Sequence, residues 1–224
     1  MKYIVLIPSY EPDNKLLNLL KTIDKTFDII IINDGSSNEY DNIFATAKKY
    51  AHVISYKENK GKGYALKEGL NYIKNNYQEY IVVTMDGDGQ HKITDAINLC
   101  NYVKNNPGTL ALGKRKWDKN TPLKSRIGNT ITRKVFKHIT KQNIYDTQTG
   151  LRAFSQELIN YMLKTPGNRY EYEMNVLLNL KNNHIKFKEI PIETIYLNHN
   201  KSSHFNTFKD SYQIYKEVFK YKNN

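Results

Sequence analysis

Three stretches, "KYIVLIP", "DIIIIN" and "EYIVVTM", are nearly unbroken runs of aliphatic and β-branched residues, and "HVISY" is a shorter one. Such runs leave no polar face, so each strand must be covered on both sides. The segments between them supply that cover. "DNKLLNLLKTI" carries Leu16, Leu17, Leu20 and Ile23 at helical spacing, with Asp13 placed to cap it. "NEYDNIFATAKKY", "KGYALKEGLNYIKNN" and "ITDAINLCNYVKNN" read as further helices. Strand and helix in alternation mean right-handed crossovers and a parallel sheet buried between two helical layers. Ligands of such sheets bind at the carboxyl ends of the strands.

The rest of the chain extends this pattern less regularly. "TLALGK" and "GLRAFS" read as strands, and "LKSRIGNTITRKVFKHIT" and "YEYEMNVLLNLKNN" as helices. "IKFKEIPIETIYL" holds one or two strands, broken at Pro191. An amphipathic helix over about residues 204–222 closes the chain. No repeat or Pro/Gly-rich linker interrupts it, so residues 1–224 are expected to form a single domain. No apolar run approaches the roughly 20 residues of a membrane span. The N-terminal "MKYIVLIPSY" lacks a small-residue cleavage site and reads as a first strand, not a signal peptide. The lone Cys100 excludes an intramolecular disulfide and fits a reducing compartment. The expectation is a cytoplasmic location.

Charge narrows the partners. The net charge is +12. From Lys114 to Lys141 ten Lys/Arg face the single acid Asp118, a local charge of +9. Such a segment is either a solvated helix face or a field for a polyanion: nucleic acid, acidic lipid or phosphorylated substrate. The sequence carries no recognised nucleic-acid-binding motif.

Polar, turn-forming residues follow each early strand: "IPSYEPDN", "INDGSS", "ENKGKGYALKEG" and "MDGDGQH". If the strands are neighbours, all four line one rim. Asp86 and Asp88, two apart at a strand end, point in the same general direction. Close carboxylates repel unless a cation lies between them or one is protonated. With Gln90 nearby, the hard oxygens suit Mg²⁺ or Mn²⁺ bound together with phosphates. The plainer reading is an Asp-Gly turn. Lys62 between Gly61 and Gly63 at a helix start is anion-binding chemistry, without the spacing of a Walker A loop. Arg152 beyond Gly150 could grip a phosphate. Glu171 and Glu173 open a helix, where capping is the alternative role. His91 reads as a metal ligand or a neighbour of the metal site. His199 and His204 have no metal-ligand spacing and read as a solvated loop.

Taken in order, "IPSYEPDNKL", "IINDGSS", "NKGKGYALKEGL", "MDGDGQH", "DTQTGLRAF", "YEYEMNVLL" and "YLNHNKSSHF" resemble the inverting family 2 glycosyltransferases, most of all the dolichol-phosphate mannose synthase and polyprenyl-phosphate glycosyltransferase group. The resemblance covers residues about 4 to 205. It implies the GT-A fold, a Rossmann-like mixed, mostly parallel sheet flanked by helices. It implies that Pro8, Tyr10 and Glu11 line a nucleotide pocket, that Asp34 holds base or ribose, and that Lys62 and Gly63 contact nucleotide and phosphates. Asp86 and Asp88 match the pair that holds a divalent cation on the donor diphosphate, and Gln90 a further residue of that metal's shell. Asp146 and Arg152 match the segment by the acceptor phosphate, with Arg115 and Arg133 as further basic residues there.

The implied reaction moves a sugar from a nucleotide-diphosphate-sugar to a polyprenyl phosphate, with inversion. A lipid phosphate is already ionised, so positioning by arginines can suffice. A hydroxyl acceptor, on a glycan or cell-wall polymer, needs a carboxylate base; Glu173, Glu171 and Asp146 are the candidates in that order. Phe205, Phe208, Tyr212, Tyr215 and Phe219 recur at three–four spacing in the last helix, beside lysines. That stripe either packs on the core or lies on an anionic membrane, on its cytoplasmic face. A basic, non-catalytic nucleic-acid-binding protein is the reading from another class, and it leaves "DGDGQH" without a purpose.

Overall fold

The structure, a computed structural model, describes residues 1–116, 123–193 and 207–222, with side chains for 1–116, 128–193 and 210–221. The elements follow in the order β1 (Lys2–Ser9), α1 (Asn14–Thr22), β2 (Phe27–Asp34), α2 (Asp41–Ala47), β3 (His52–Tyr56), α3 (Lys62–Asn76), β4 (Tyr80–Thr84), α4 (Ile93–Asn105), β5 (Thr109–Arg115), α5 (Leu123–Thr140), β6 (Arg152–Ser155), α6 (Ile159–Lys164), α7 (Glu171–Leu178), β7 (Lys186–Ile192) and α8 (Thr207–Lys222). The strands form one sheet in the order β3-β2-β1-β4-β6-β5-β7. Among the described strands only β6 runs against the others, antiparallel to both β4 and β5. The sheet is therefore mixed and mostly parallel, as the family resemblance implies.

The unbroken apolar runs are divided by the pleat. Ile4, Leu6, Ile30, Ile32 and Val82 face one core, where they meet Leu66 and Leu70 of α3, Phe136 of α5 and Leu177 of α7. Val5, Ile7, Ile31, Ile81 and Val83 face the other, against Leu16 and Leu20 of α1, Phe44 of α2 and Leu99 of α4. Period-two alternation between two dry layers explains why neither face of these strands can be polar. Truncating a fully buried residue such as Leu6 to alanine is expected to cost about 2–5 kcal/mol. Asp13 caps α1 as predicted, its Oδ1 accepting from the Lys15 amide at 2.8 Å.

One expectation is corrected. Pro191 does not break its strand: β7 runs through it, in register with Lys114 of β5. Since β7 lies at the sheet edge, half its backbone N–H groups face away from the ladder, and an edge strand tolerates proline. In the last helix the described members of the aromatic stripe divide between core and solvent. Ile214, Val218 and Tyr221 pack on the core, and the Tyr215 hydroxyl meets that of Thr132 on α5 at 2.9 Å. Tyr212 and Phe219 are left 67% and 54% exposed. Phe205, the side chain of Phe208, His199 and His204 lie outside the described residues. Among the described residues no helix is long and apolar enough to cross a membrane. Helix α6 has no counterpart in the sequence reading; "INYMLK" is too short for its periodicity to register.

Candidate active site

The parallel order β3-β2-β1-β4 brings the four polar segments to one rim, where a cleft of about 290 Å³ opens. Pro8, Tyr10, Glu11, Asp34, Lys62, Asp86 and Asp88 all line it, as do Asn59, Arg169 and Tyr170.

Asp34, at the tip of β2, is 3% exposed and organises one wall. Its Oδ1 accepts from the Tyr56 hydroxyl at 2.7 Å and the Lys60 amide at 2.8 Å. Its Oδ2 accepts from Asn59 Nδ2 at 3.0 Å and the Gly61 amide at 2.9 Å. The carboxylate thus pins the loop that leads into α3. Burial and the Asp34 hydrogen bond push the Tyr56 phenol up, so it stays a donor. The first strand's exit is held from the same side, because the Glu11 amide donates to Ser36 Oγ at 2.8 Å. Glu11 itself adopts a left-handed φ of 45°, a backbone cost of the kind found at functional rims.

Lys62 opens α3 and reaches across the cleft floor. Its Nζ lies 2.7 Å from Asp86 Oδ1 and 2.8 Å from Glu173 Oε2. Burial alone would push the ammonium down, but Asp86 and Glu173 overcome this and hold it above the ordinary lysine value. Burial likewise pushes Asp86 up, and the Lys62 charge and the His91 hydrogen bond outweigh it, leaving the carboxyl well below the usual range. Asp88 goes the other way, raised by burial and then by the Asp86 charge. The two neighbouring carboxylates are thus pushed in opposite directions, as expected where close like charges repel and one of them holds the nearby cation. The backbone amide of Gln90 donates to Asp88 Oδ1 at 3.0 Å. Among the described residues no three His, Cys, Asp or Glu side chains converge on one point. Two hard carboxylates with open positions still fit Mg²⁺ or Mn²⁺, because these ions keep waters and take the remaining oxygens from substrate phosphates.

Gly150 explains how the later motif joins this site. A Cβ there would lie 2.4 Å from Asp86 Oδ2, so the "DTQTGLRAF" segment approaches the carboxylate as only glycine can. Thr84 Oγ1 fixes the approach by donating to the Gly150 carbonyl at 2.8 Å. Gly63 is buried, where a Cβ would lie 2.4 Å from that of Tyr172, and seats α3 against α7.

The remaining predicted residues divide by what they touch. Arg152 is 2% exposed and does not line the cleft. Its Nη1 donates to the Glu173 carbonyl at 2.8 Å and its Nε to the Thr149 carbonyl at 3.1 Å, so it ties the start of α7 to the Gly150 segment. Glu171 Oε1 accepts from the amides of Asn168 and Arg169 at 2.9 and 3.1 Å, the capping alternative. Asp146, with its side chain fully buried, grips Arg115 in a two-pronged pair: Nε to Oδ2 at 2.7 Å and Nη2 to Oδ1 at 2.9 Å. Next to it the Lys114 ammonium and the Arg133 guanidinium each lie 4.5 Å from the Tyr145 ring centroid. Lys114 and Arg133 share the Tyr145 ring, Arg115 is held by the adjacent Asp146, and none of the three lines the cleft. Arg169, Tyr170 and Asn59 were missed by sequence reasoning. The string "NRYEYE" could have drawn attention to Arg169, had its glutamates not been the more familiar chemistry.

The fold is that of the GT-A glycosyltransferases. Residues 4–163 match glycosyl transferase family 2, and the chain belongs to that family. It is 31% identical over 206 residues to an uncharacterized protein of Methanocaldococcus jannaschii, covering 88% of this chain and 83% of that one. It is 29% identical over 219 residues to the UDP-N-acetylglucosamine–dolichyl-phosphate N-acetylglucosaminyltransferase of Methanococcus voltae, covering 86% and 85%. Among solved structures it is similar to glucosyl-3-phosphoglycerate synthase from Mycobacterium tuberculosis in complex with Mn²⁺, UDP and phosphoglyceric acid. There the TM-score is 0.68 at 14% identity, over 98% of this chain and 76% of the other.

Proposed function

We propose that this glycosyltransferase moves a sugar, with inversion and with a divalent metal, from a nucleotide-diphosphate-sugar to a polyprenyl phosphate. The observation that carries the donor half is the Asp86–Asp88 pair at the tip of β4, in a cleft whose other wall is the Asp34-pinned loop. The Methanococcus voltae relative, named for a dolichyl-phosphate acceptor, supports the acceptor half. The Mn²⁺ bound with UDP in the mycobacterial neighbour supports the metal.

Asp86 and Asp88 would hold Mg²⁺ or Mn²⁺, with Gln90 nearby; the ion supplies Lewis-acid stabilisation of the charge that develops on the departing diphosphate. Pro8, Tyr10 and Glu11 border the nucleotide, and Asp34 shapes its pocket through Asn59 and Gly61. Lys62 and Arg169 add positive charge along the cleft. Lys114, Arg115 and Arg133 are the candidate grip on an acceptor phosphate. Asp146 fixes Arg115, and Arg152 fixes the backbone that carries Glu173. A hydroxyl acceptor is the second reading. Glu173 favours it, being the base candidate whose carboxylate reaches the cleft lysine, while Glu171 and Asp146 are occupied by backbone amides and Arg115.

Tyr212 and Phe219, seven apart on α8 and exposed beside Lys216 and Lys220, fit peripheral contact with an anionic membrane. No nucleic-acid partner is proposed, and the location is taken as cytoplasmic.

The test is a panel of UDP- and GDP-sugars with Mn²⁺, offered undecaprenyl phosphate, dolichyl phosphate or a soluble glycan. The reading expects a metal-dependent product on a lipid phosphate, of opposite anomeric configuration by NMR, and its loss in Asp88→Asn. Full turnover by Asp88→Asn would remove the metal role. Transfer to the glycan alone would favour the hydroxyl reading. Co-sedimentation with phosphatidylglycerol vesicles, lost in Tyr212→Ser/Phe219→Ser, tests the membrane contact.

A further inference from the structure

The Lys62 ammonium stands between Asp86 and Glu173, at 2.7 and 2.8 Å, with its side chain 17% exposed and that of Glu173 14% exposed. It therefore takes up a carboxylate that the proposed function assigns to a divalent cation. A divalent ion on Asp86 would face a positive charge at hydrogen-bond distance from its own ligand, and such repulsion is strong where water is scarce. Lys62 is also the first residue of α3, and it lines the same cleft as Arg169. A diphosphate arriving there would offer the ammonium a new anionic partner.

We infer that Lys62 is an internal counter-cation whose exchange from Asp86 and Glu173 to the donor diphosphate makes metal and nucleotide bind together. The inference rests on the donor and metal reading above. In the free protein the lysine competes with the metal. Once the diphosphate draws it away, Asp86 is open to the cation and Glu173 loses its ion pair. Linkage then requires reciprocity: the nucleotide tightens the metal by the same factor as the metal tightens the nucleotide.

The experiment measures Mn²⁺ affinity of the full chain by EPR, alone and with UDP or GDP, for the native protein, Lys62→Gln, Lys62→Met and Lys62→Arg. The native protein is expected to bind Mn²⁺ weakly alone and at least tenfold more tightly with whichever nucleoside diphosphate it accepts. Lys62→Gln is expected to bind Mn²⁺ alone at least tenfold more tightly than the native protein, and to lose most of the coupling to nucleotide. Lys62→Arg keeps the charge and should restore weak binding. Lys62→Gln retains hydrogen-bonding capacity, so it guards against unfolding in Lys62→Met, and thermal melts of each with and without Mn²⁺ give a second readout: Mn²⁺ should raise the melting temperature of Lys62→Gln more than that of the native chain. If Mn²⁺ binds with nucleotide but Lys62→Gln leaves its affinity for the free protein unchanged or weaker, the exchange is overturned and the metal reading stands. If Mn²⁺ binds under no condition, both fall.

Discussion

Gly150 lies so close to Asp86 that a methyl group on its α-carbon would sit 2.4 Å from Oδ2. Two segments more than sixty residues apart thus share one surface, and the carboxylate's position is set by an absence of side chain. In Gly150→Ala the group struck is the far end of Asp86, which can swing. The fold should therefore lose only about 1–2 kcal/mol, near the low end of overpacking costs. Sugar transfer and Mn²⁺ affinity should each fall at least tenfold. Chemical denaturation beside a turnover assay checks this; a large stability loss with intact affinity would contradict it.

Asp146 is expected to matter for stability first. Asp146→Ala removes the two-pronged acceptor of the Arg115 guanidinium and the acceptor of the Gln148 amide. Breaking a buried pair from one side costs about 3–5 kcal/mol, and the 20% exposure of Arg115 brings the expectation to about 2–4 kcal/mol. Urea unfolding reads it. A variant as stable as the native chain would return Asp146 to the candidate bases.

Asp34 should act on nucleotide through its loop. Asp34→Ala leaves the amides of Lys60 and Gly61 without their acceptor at the base of α3. The expected cost is about 2–3 kcal/mol for the unmade hydrogen bonds. The expected effect on nucleoside diphosphate affinity is a drop of at least tenfold, measured by calorimetry. Asn59→Ala should show the same direction in smaller measure.

Cys100 is a structural thiol. Burial pushes it up to about 12 from an ordinary value of 9.0. At pH 8 only about one molecule in ten thousand carries the reactive thiolate. The native protein should not react with Ellman's reagent at that pH, and should react once unfolded in guanidinium. The folded pKa is raised, so the folded state keeps a proton that the unfolded state releases. Stability is therefore full below pH 9 and is lost as pH climbs toward 12, a slope that Cys100→Ala should flatten.

Much of this was legible in residues 1–100. The runs around Ile4–Ile7 and Ile29–Ile32 can only be two-sided strands, and "MDGDGQH" after "EYIVVT" can only fall at a rim. Direction was not legible in "RAFS": four residues say strand without saying which way, and β6 runs backwards because the chain enters it at the rim, where Gly150 meets Asp86. Pro191 misled because propensity knows nothing of sheet edges. The last helix left its packing face open in the sequence, and only the fold shows Val218 buried with Tyr212 and Phe219 outside. Within the site, identity was readable and engagement was not. Lys62 looked like a phosphate contact, and only the fold sets Glu173 against it from a helix more than a hundred residues away. Glu171 and Asp146 looked like bases, and only their partners show what occupies them.

The course of β7 along the sheet's margin has a further consequence. An open margin invites a stranger's strand, and unpaired ladders of this kind are where proteins begin to aggregate. Here the outermost strand reads "KFKEIPI", with Lys186 and Lys188 exposed and Pro191 near its end, and among the described residues nothing pairs with its outer side. Two ammonium groups would repel an identical neighbour brought alongside, and the imino acid would interrupt the ladder it tried to extend. The proline that looked like a break in the fold would then serve as a guard on its edge, keeping a cleft-bearing enzyme dispersed at the concentrations at which it must work.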